Sequence, residues 1–261
     1  MLSARNLVVL CGACLISGVA FAQDSKPALD SLPAANPNAS DSVNPRLKPE
    51  DRGDVYMARK MYREAIEAYQ QAPQDSAVVW NKQGIAYHQL MQLDAAMKRY
   101  RRAIRLDAKY AEAINNLGTV YYAEKQYGKA TGTYKHALKL APASASIYSN
   151  LGTAYFARKQ YKDAAAAFQT ALSLDPDVFE HRGNFGVLLE ERNVEERAKY
   201  HYYVAKLYAK NGRDELALQY LRKALEEGFK DKKQLEKDPE FATLRDTKEF
   251  KDLLALEPRV L

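Results

Sequence analysis

The sequence predicts an all-α chain of stacked antiparallel helical hairpins, closed at its C-terminal end by short capping helices. Ladders of residues sharing one period carry this expectation. Glycines recur at Gly84, Gly118, Gly152 and Gly186, each 34 residues from the last. Alanines keep the same interval at Ala96, Ala130, Ala164 and Ala198, and again at Ala103, Ala137, Ala171 and Ala205. An aromatic ladder runs Tyr100, Tyr134, Phe168 and Tyr202, and a further one runs Tyr87, Tyr121, Tyr155 and ends in Leu189. A shared period of this length marks a repeat array.

Each ladder has a packing reason. Leu117, Gly118 and Tyr121 lie at i, i+1, i+4 on one helix face, and Ala130, Tyr134 and Ala137 lie at i, i+4, i+7 on a second helix. Small residues let the two helices approach, and the aromatic rings fill the space between them. Pro142 and Pro176 follow the second helices, where proline ends a helix without breaking its interior. Such a hairpin keeps one apolar side that only a neighbouring hairpin can cover.

Three units are regular, 77–110, 111–144 and 145–178. An earlier one at about 46–76 keeps Gly53, Tyr56, Ala65, Tyr69 and Ala72, shortened by the tight Ala72-Pro73-Gln74-Asp75 link. The unit at 179–212 is irregular and overlaps a further one at 198–231. Its helix 195–211 carries both a second-helix signature (Ala198, Tyr202, Ala205) and a first-helix signature (Ala205, Tyr208, Gly212). The latter pairs it with Ala217, Leu221 and Ala224. After these, 232–261 reads as a cap. Asp238-Pro239-Glu240 predicts a helix start, Phe241 and Leu244 follow, and Phe250, Leu253 and Leu254 share a face, so two short helices would cover the last hairpin.

The stretch Ala111 to Gly118, with Tyr121, Tyr127, Ala130, Tyr134, Ala137 and Pro142, resembles the tetratricopeptide-repeat family. Trp80, Gly84, Tyr87, Ala96, Tyr100 and Ala103 match in the preceding unit, where Gln83 replaces the usual leucine. The resemblance covers roughly 46–231. It implies a right-handed α-solenoid whose first helices line an inner face that holds a protein or peptide partner.

The other end reads as an export signal. Arg5 is followed by an uncharged apolar core, Leu7 to Val19, and Ala20-Phe21-Ala22 supplies small residues at a cleavage site. Cleavage after Ala22 would give a periplasmic or secreted chain, with a retained anchor as the alternative. A lipoprotein signal fits less well, since Cys14 lacks the leucine usual three residues earlier. Cys11 and Cys14 both lie within 1–22, so the mature chain would have no cysteine for a disulfide, a nucleophile or a zinc site. Residues 23–49, with Pro27, Pro33, Pro37, Pro45 and Pro49 among small polar residues, read as a flexible linker.

In the resembled family, the residue two before the repeat glycine points into the groove. Here that implies Lys82, Asn116, Asn150 and Asn184. An amide ladder of this kind can bond an extended backbone without demanding particular side chains. By the same alignment the neighbouring groove positions are Asn81, Ile85, His88, Asn115, Thr119, Tyr122, Thr153 and Phe156, where Tyr122 and Phe156 would add flat apolar contact. The plainer alternative is that these asparagines only help the helix start. A carboxylate clamp of the family's type would need basic residues where Asn81, Asn115 and Ser149 stand, which argues against C-terminal carboxylate recognition.

Lys98, Arg101, Arg102, Arg105 and Lys109 form a basic stripe predicted on one side of a second helix. It reads either as a solvated face or as a weak contact with an anionic envelope surface, in which case the chain would be a structural scaffold of an envelope assembly using its convex side. The formal charge of +6 is modest for 261 residues, and no exposed aromatic platform accompanies the stripe, so nucleic acid is not an expected partner. His88, His136, His181 and His201 are scattered without metal-ligand spacing. With no phosphate loop and no nucleophile elbow, the expectation is a non-enzyme without cofactor or metal.

Overall fold

The computed structural model describes residues 46–180 and 194–255. They are helical, with no strand among them, and fall into two compact units, 46–142 and 143–180 with 194–255. The alternatives to helix are absent for a sequence reason: the buried residues recur at three- and four-residue intervals throughout.

The first unit holds three hairpins. Helix α1 (Pro49–Ala58) pairs with α2 (Tyr62–Gln71), α3 (Ala77–Gln89) with α4 (Leu93–Leu106), and α5 (Ala111–Ala123) with α6 (Tyr127–Leu140). Each hairpin leans on the next through its second helix, α2 on α3 and α4 on α5. The second unit holds α7 (Ala145–Ala157) with α8 (Tyr161–Leu174), then α9 (Val194–Lys210) with α10 (Asp214–Glu226). Short helices α11 (Lys232–Lys237) and α12 (Lys248–Ala255) follow, separated by a 3₁₀ turn at Pro239–Phe241.

Inside each hairpin the repeat glycine faces the aromatic residue 16 positions later. A Cβ built on Gly53, Gly84, Gly118 or Gly152 would stand 2.3, 2.5, 2.6 or 2.5 Å from the ring of Tyr69, Tyr100, Tyr134 or Phe168. No carbon tolerates such a distance, so glycine is what sets the helix separation. The last hairpin carries a different pair at this spacing: Ala205 and Leu221, also 16 apart, are both fully buried.

The turns inside the hairpins share a geometry that the sequence does not advertise. Lys60, Met91, Lys125 and Lys159 all have φ near +60°, at 59°, 58°, 59° and 60°. Around Lys125, its own N–H bonds Tyr122 O at 2.8 Å and the N–H of Gln126 bonds Tyr121 O at 2.8 Å. This crossed pair is a Schellman ending, and it recurs at every one of these turns. Gly212 (φ 69°) and Gly228 (φ 90°) end α9 and α10 the same way, with the residue type such a φ favours.

Helix α9 acts as the first helix of its hairpin, as the Ala205, Tyr208, Gly212 pattern predicts. The aromatic of its second-helix signature, Tyr202, is engaged by the cap: the ring stacks on Phe229 at 4.5 Å and the hydroxyl donates to the Asp238 carboxylate. The core of this unit runs edge to face from Phe156 to Tyr200, Phe168, Phe179 and Tyr208, at centroid distances of 5.9, 5.7, 5.5 and 6.0 Å.

Asp238-Pro239-Glu240 starts only a single 3₁₀ turn, not a helix. The Asp238 side chain bonds no N–H of that turn, being taken by Tyr202 and by Lys206 at 3.3 Å. The cap instead has α11, started by Asp231 (Gln234 N to Asp231 Oδ1, 3.0 Å), and α12, started by Thr247 (Phe250 N to Thr247 Oγ1, 3.3 Å). Phe241, Leu244, Phe250 and Leu253 are buried by it.

Candidate functional site

In the first unit, polar side chains join α1 to α3 in one set and α3 to α5 in another. Lys82 Nζ donates to Glu50 and to Asp54, both at 2.7 Å, and the Tyr69 hydroxyl donates to the other Asp54 oxygen at 2.7 Å. Burial pulls the Lys82 ammonium toward neutrality, but its hydrogen bonds to Asp54 and Glu50 outweigh it and hold its pKa above the usual value. Burial, reinforced by Asp54, pushes the Tyr69 phenol well above its ordinary range. Lys82 is therefore a charged, committed side chain. Glu50 and Asp54 were legible in principle, since one short repeat earlier Lys82 aligns with Asp51, which they flank at helical spacing.

The amides link α3 to α5. Asn116 Nδ2 donates to Asn81 Oδ1 at 3.0 Å, and Asn115 Nδ2 donates to Asn116 Oδ1 at 3.4 Å. Asn81 Nδ2 reaches Glu112 at 3.1 Å and the Tyr110 hydroxyl at 3.3 Å. Asn81 and Asn115 are buried, whereas Asn116 and Thr119 are partly exposed. Thr119 Oγ1 donates to Asn116 O at 2.7 Å, which uses its hydrogen and leaves its lone pairs to accept. An amide has two donors and two acceptor lone pairs. Among the described residues, the bonds of Asn116 leave one N–H and one lone pair for a partner.

His88 also lies on α3. Its Nε2 has no accessible surface and no hydrogen-bond partner, and burial pushes the pKa down to about 4. It is a neutral imidazole. Tyr122 is buried and its ring sits 5.1 Å from that of Tyr127.

In the second unit, Asn150, Thr153 and Phe156 on α7 are buried too. Thr153 returns its hydroxyl to Ser149 O at 2.9 Å, and Phe156 meets Tyr161, Tyr200 and Tyr203 at 5.2, 5.9 and 5.5 Å. Flat apolar contact was expected of Tyr122 and Phe156 on a surface; in this structure both rings are core. Asn184 lies outside the described residues.

The basic stripe is exposed at all five positions. Lys98, Arg101, Arg102 and Arg105 sit on α4, but the helix ends at Leu106, so Lys109 is in the following turn, where its N–H bonds Asp107 Oδ1 at 2.9 Å. Among the described residues, no three of His, Cys, Asp and Glu approach closely enough to hold a metal ion, and no helix is long and apolar enough to cross a membrane.

Comparison with known proteins agrees with the repeat period. Tetratricopeptide-repeat models match at 84–124, 118–157 and 145–178, and another at 182–231, together more than half of the chain. No curated protein matches. Among solved structures, a crystal structure of MamA is 22% identical over 69% of this chain and 96% of its own, with a TM-score of 0.46. MamA 41-end from Desulfovibrio magneticus RS-1 is 20% identical over 70% and 94%, with a TM-score of 0.48. YrrB, described as a TPR protein with an unusual peptide-binding site, is 17% identical over 70% and 86%, with a TM-score of 0.45.

Proposed function

Since the chain belongs to the tetratricopeptide-repeat family, and so to a class of protein–protein interaction modules, we propose that it is an exported adaptor holding an extended segment of a partner polypeptide against its first helices. The observation that carries the peptide reading is the amide and hydroxyl row of the first unit. Asn116 presents an unengaged donor and acceptor and Thr119 an unengaged acceptor one helical turn away, held in place by Asn81, Asn115 and the backbone of α5. A preset row of this kind bonds an extended main chain at little entropic cost. Lys82 is neutralised by Glu50 and Asp54, so the face selects for backbone rather than for a terminal carboxylate. Asn150, Thr153 and Phe156, being buried, support the second unit rather than touch the ligand. The reading is of a non-enzyme that uses no cofactor.

Export rests on Arg5, the Leu7 to Val19 core and Ala20-Phe21-Ala22. Sequencing the mature N-terminus should begin at Gln23; an intact Met1 would contradict it.

To test the binding face, peptides selected from a displayed random library against the full chain would be titrated onto Asn116→Ala/Thr119→Ala. The double variant should bind about tenfold more weakly, the loss of two hydrogen bonds, with its melting temperature nearly unchanged. Equal affinity would remove this face from the account.

A further inference from the structure

The charge of the chain is concentrated in one place. Residues 93–140 contain ten Lys and Arg against four Asp and Glu, a formal +6 that equals the charge of all 261 residues. Everything outside this stretch is neutral in sum. Inside it, α4 carries five cations, four of them arginine, and one acid, Asp94.

Three of these cations are held by aromatic residues rather than by carboxylates. The Arg99 guanidinium stands 5.0 Å over Trp80 and 5.3 Å over Tyr87, and that of Arg102 stands 5.8 Å over Trp80. Arg101 donates to the Tyr121 hydroxyl at 3.1 Å, while Lys129 of α6 lies 5.7 Å over the ring of the same tyrosine. Among the described residues, none of Lys98, Arg101, Arg102, Arg105 and Lys129 makes an ion pair, and all five are exposed. The opposite side of α4 (Ala96, Tyr100, Ala103) is buried in the hairpin. A guanidinium fixed by a ring keeps its charge and most of its N–H donors, whereas one paired to a carboxylate has spent them. The arginine fork matches carboxylate and phosphate alike, so one feature separates polypeptide from bilayer. The cations lack the interleaved apolar side chains with which an interfacial helix enters lipid, Leu106 at the helix end being the lone exposed one on α4.

We infer that the exposed face of α4, extended by Lys129, docks a carboxylate-rich polypeptide segment of a partner. This surface is separate from the amide row, so the protein joins two polypeptides: one extended along the first helices, one acidic on the second.

The test titrates a fluorescent oligoglutamate peptide onto the full chain at low and physiological ionic strength, with phosphatidylglycerol vesicles as the competing ligand. Arg101→Gln/Arg102→Gln/Arg105→Gln should weaken oligoglutamate binding about tenfold. Lys233→Gln/Lys237→Gln/Lys248→Gln, which removes the same charge from exposed positions of the cap, should change it less than about twofold. If the first variant loses helicity through its Tyr121 and Trp80 contacts, Lys98→Gln/Arg105→Gln tests the same face without touching a ring, with a loss of a few-fold expected. Equal losses in the patch and cap variants would reduce the effect to net charge and overturn the inference. So would tight binding of the vesicles with none of the peptide, which would make the surface a lipid contact.

Discussion

At the residue scale, one pair of glycines separates close approach from plain flexibility. Gly118 meets the Tyr134 ring, whereas Gly132, on the exposed side of α6, has nothing within 4 Å of a built Cβ. Gly118→Ala must push the ring or the helix aside and should cost about 1–3 kcal/mol. Gly132→Ala only restricts the unfolded chain and favours helix, and should stabilise by about 0.5–1 kcal/mol. Urea unfolding reads both; equal signs would mean that the glycine ladder does not set the helix spacing. The ladder was legible in the sequence because steric demand leaves so few residue types at each of its positions. The burial of Tyr122, Asn150, Thr153 and Phe156 was not. A repeat alignment states which way a side chain leaves its helix, but the neighbours that cover it come from elsewhere in the chain.

At the element scale, the hairpin turns explain how second helices start without side-chain caps. Met61, Gln92, Gln126 and Gln160 precede α2, α4, α6 and α8, and none caps with its side chain. The Schellman bonds of the preceding helix fix the chain direction instead. This ending was not legible beforehand, because glycine usually marks the motif and here lysine or methionine occupies it. A left-handed lysine carries a steric cost of about 1–2 kcal/mol. Lys125→Gly should therefore raise stability by about 1 kcal/mol in urea unfolding, after the entropy of the unfolded glycine is subtracted. Destabilisation would show that the Lys125 side chain holds the turn by contacts of its own. The cap shows the opposite failure. Asp238 has the residue type and the following proline of a helix start, yet Tyr202 and Lys206 claim its carboxylate, and a tertiary bond overrides a local one.

At the scale of the whole molecule, stability should depend on pH through His88. Its folded pKa is about 4, against an ordinary 6.5, because burial disfavours the imidazolium. The unfolded chain then binds the proton first, so stability is full above about pH 6.5, falls as the pH drops toward 4, and levels off below. At pH 4.5 the loss through this one group should be about 2 kcal/mol relative to pH 7.5. His88→Gln should lose less over the same interval by that amount. A curve parallel to that of the unsubstituted chain would place the acid sensitivity in carboxylates. Charge has the same lesson at this scale. The stripe was visible in the sequence as five residues, but its extension through Tyr121 to Lys129 depends on helix pairing and appears only in the structure.

Which helices touch the partner can be read most directly by photo-cross-linking. A benzophenone amino acid would be placed at 119 on α5 or at 105 on α4, in the full chain, with a library-selected extended peptide that carries no acidic residue. The account predicts cross-links from position 119 and none from 105. Cross-links from 105 alone would contradict it, and would move peptide binding from the first helices to the second.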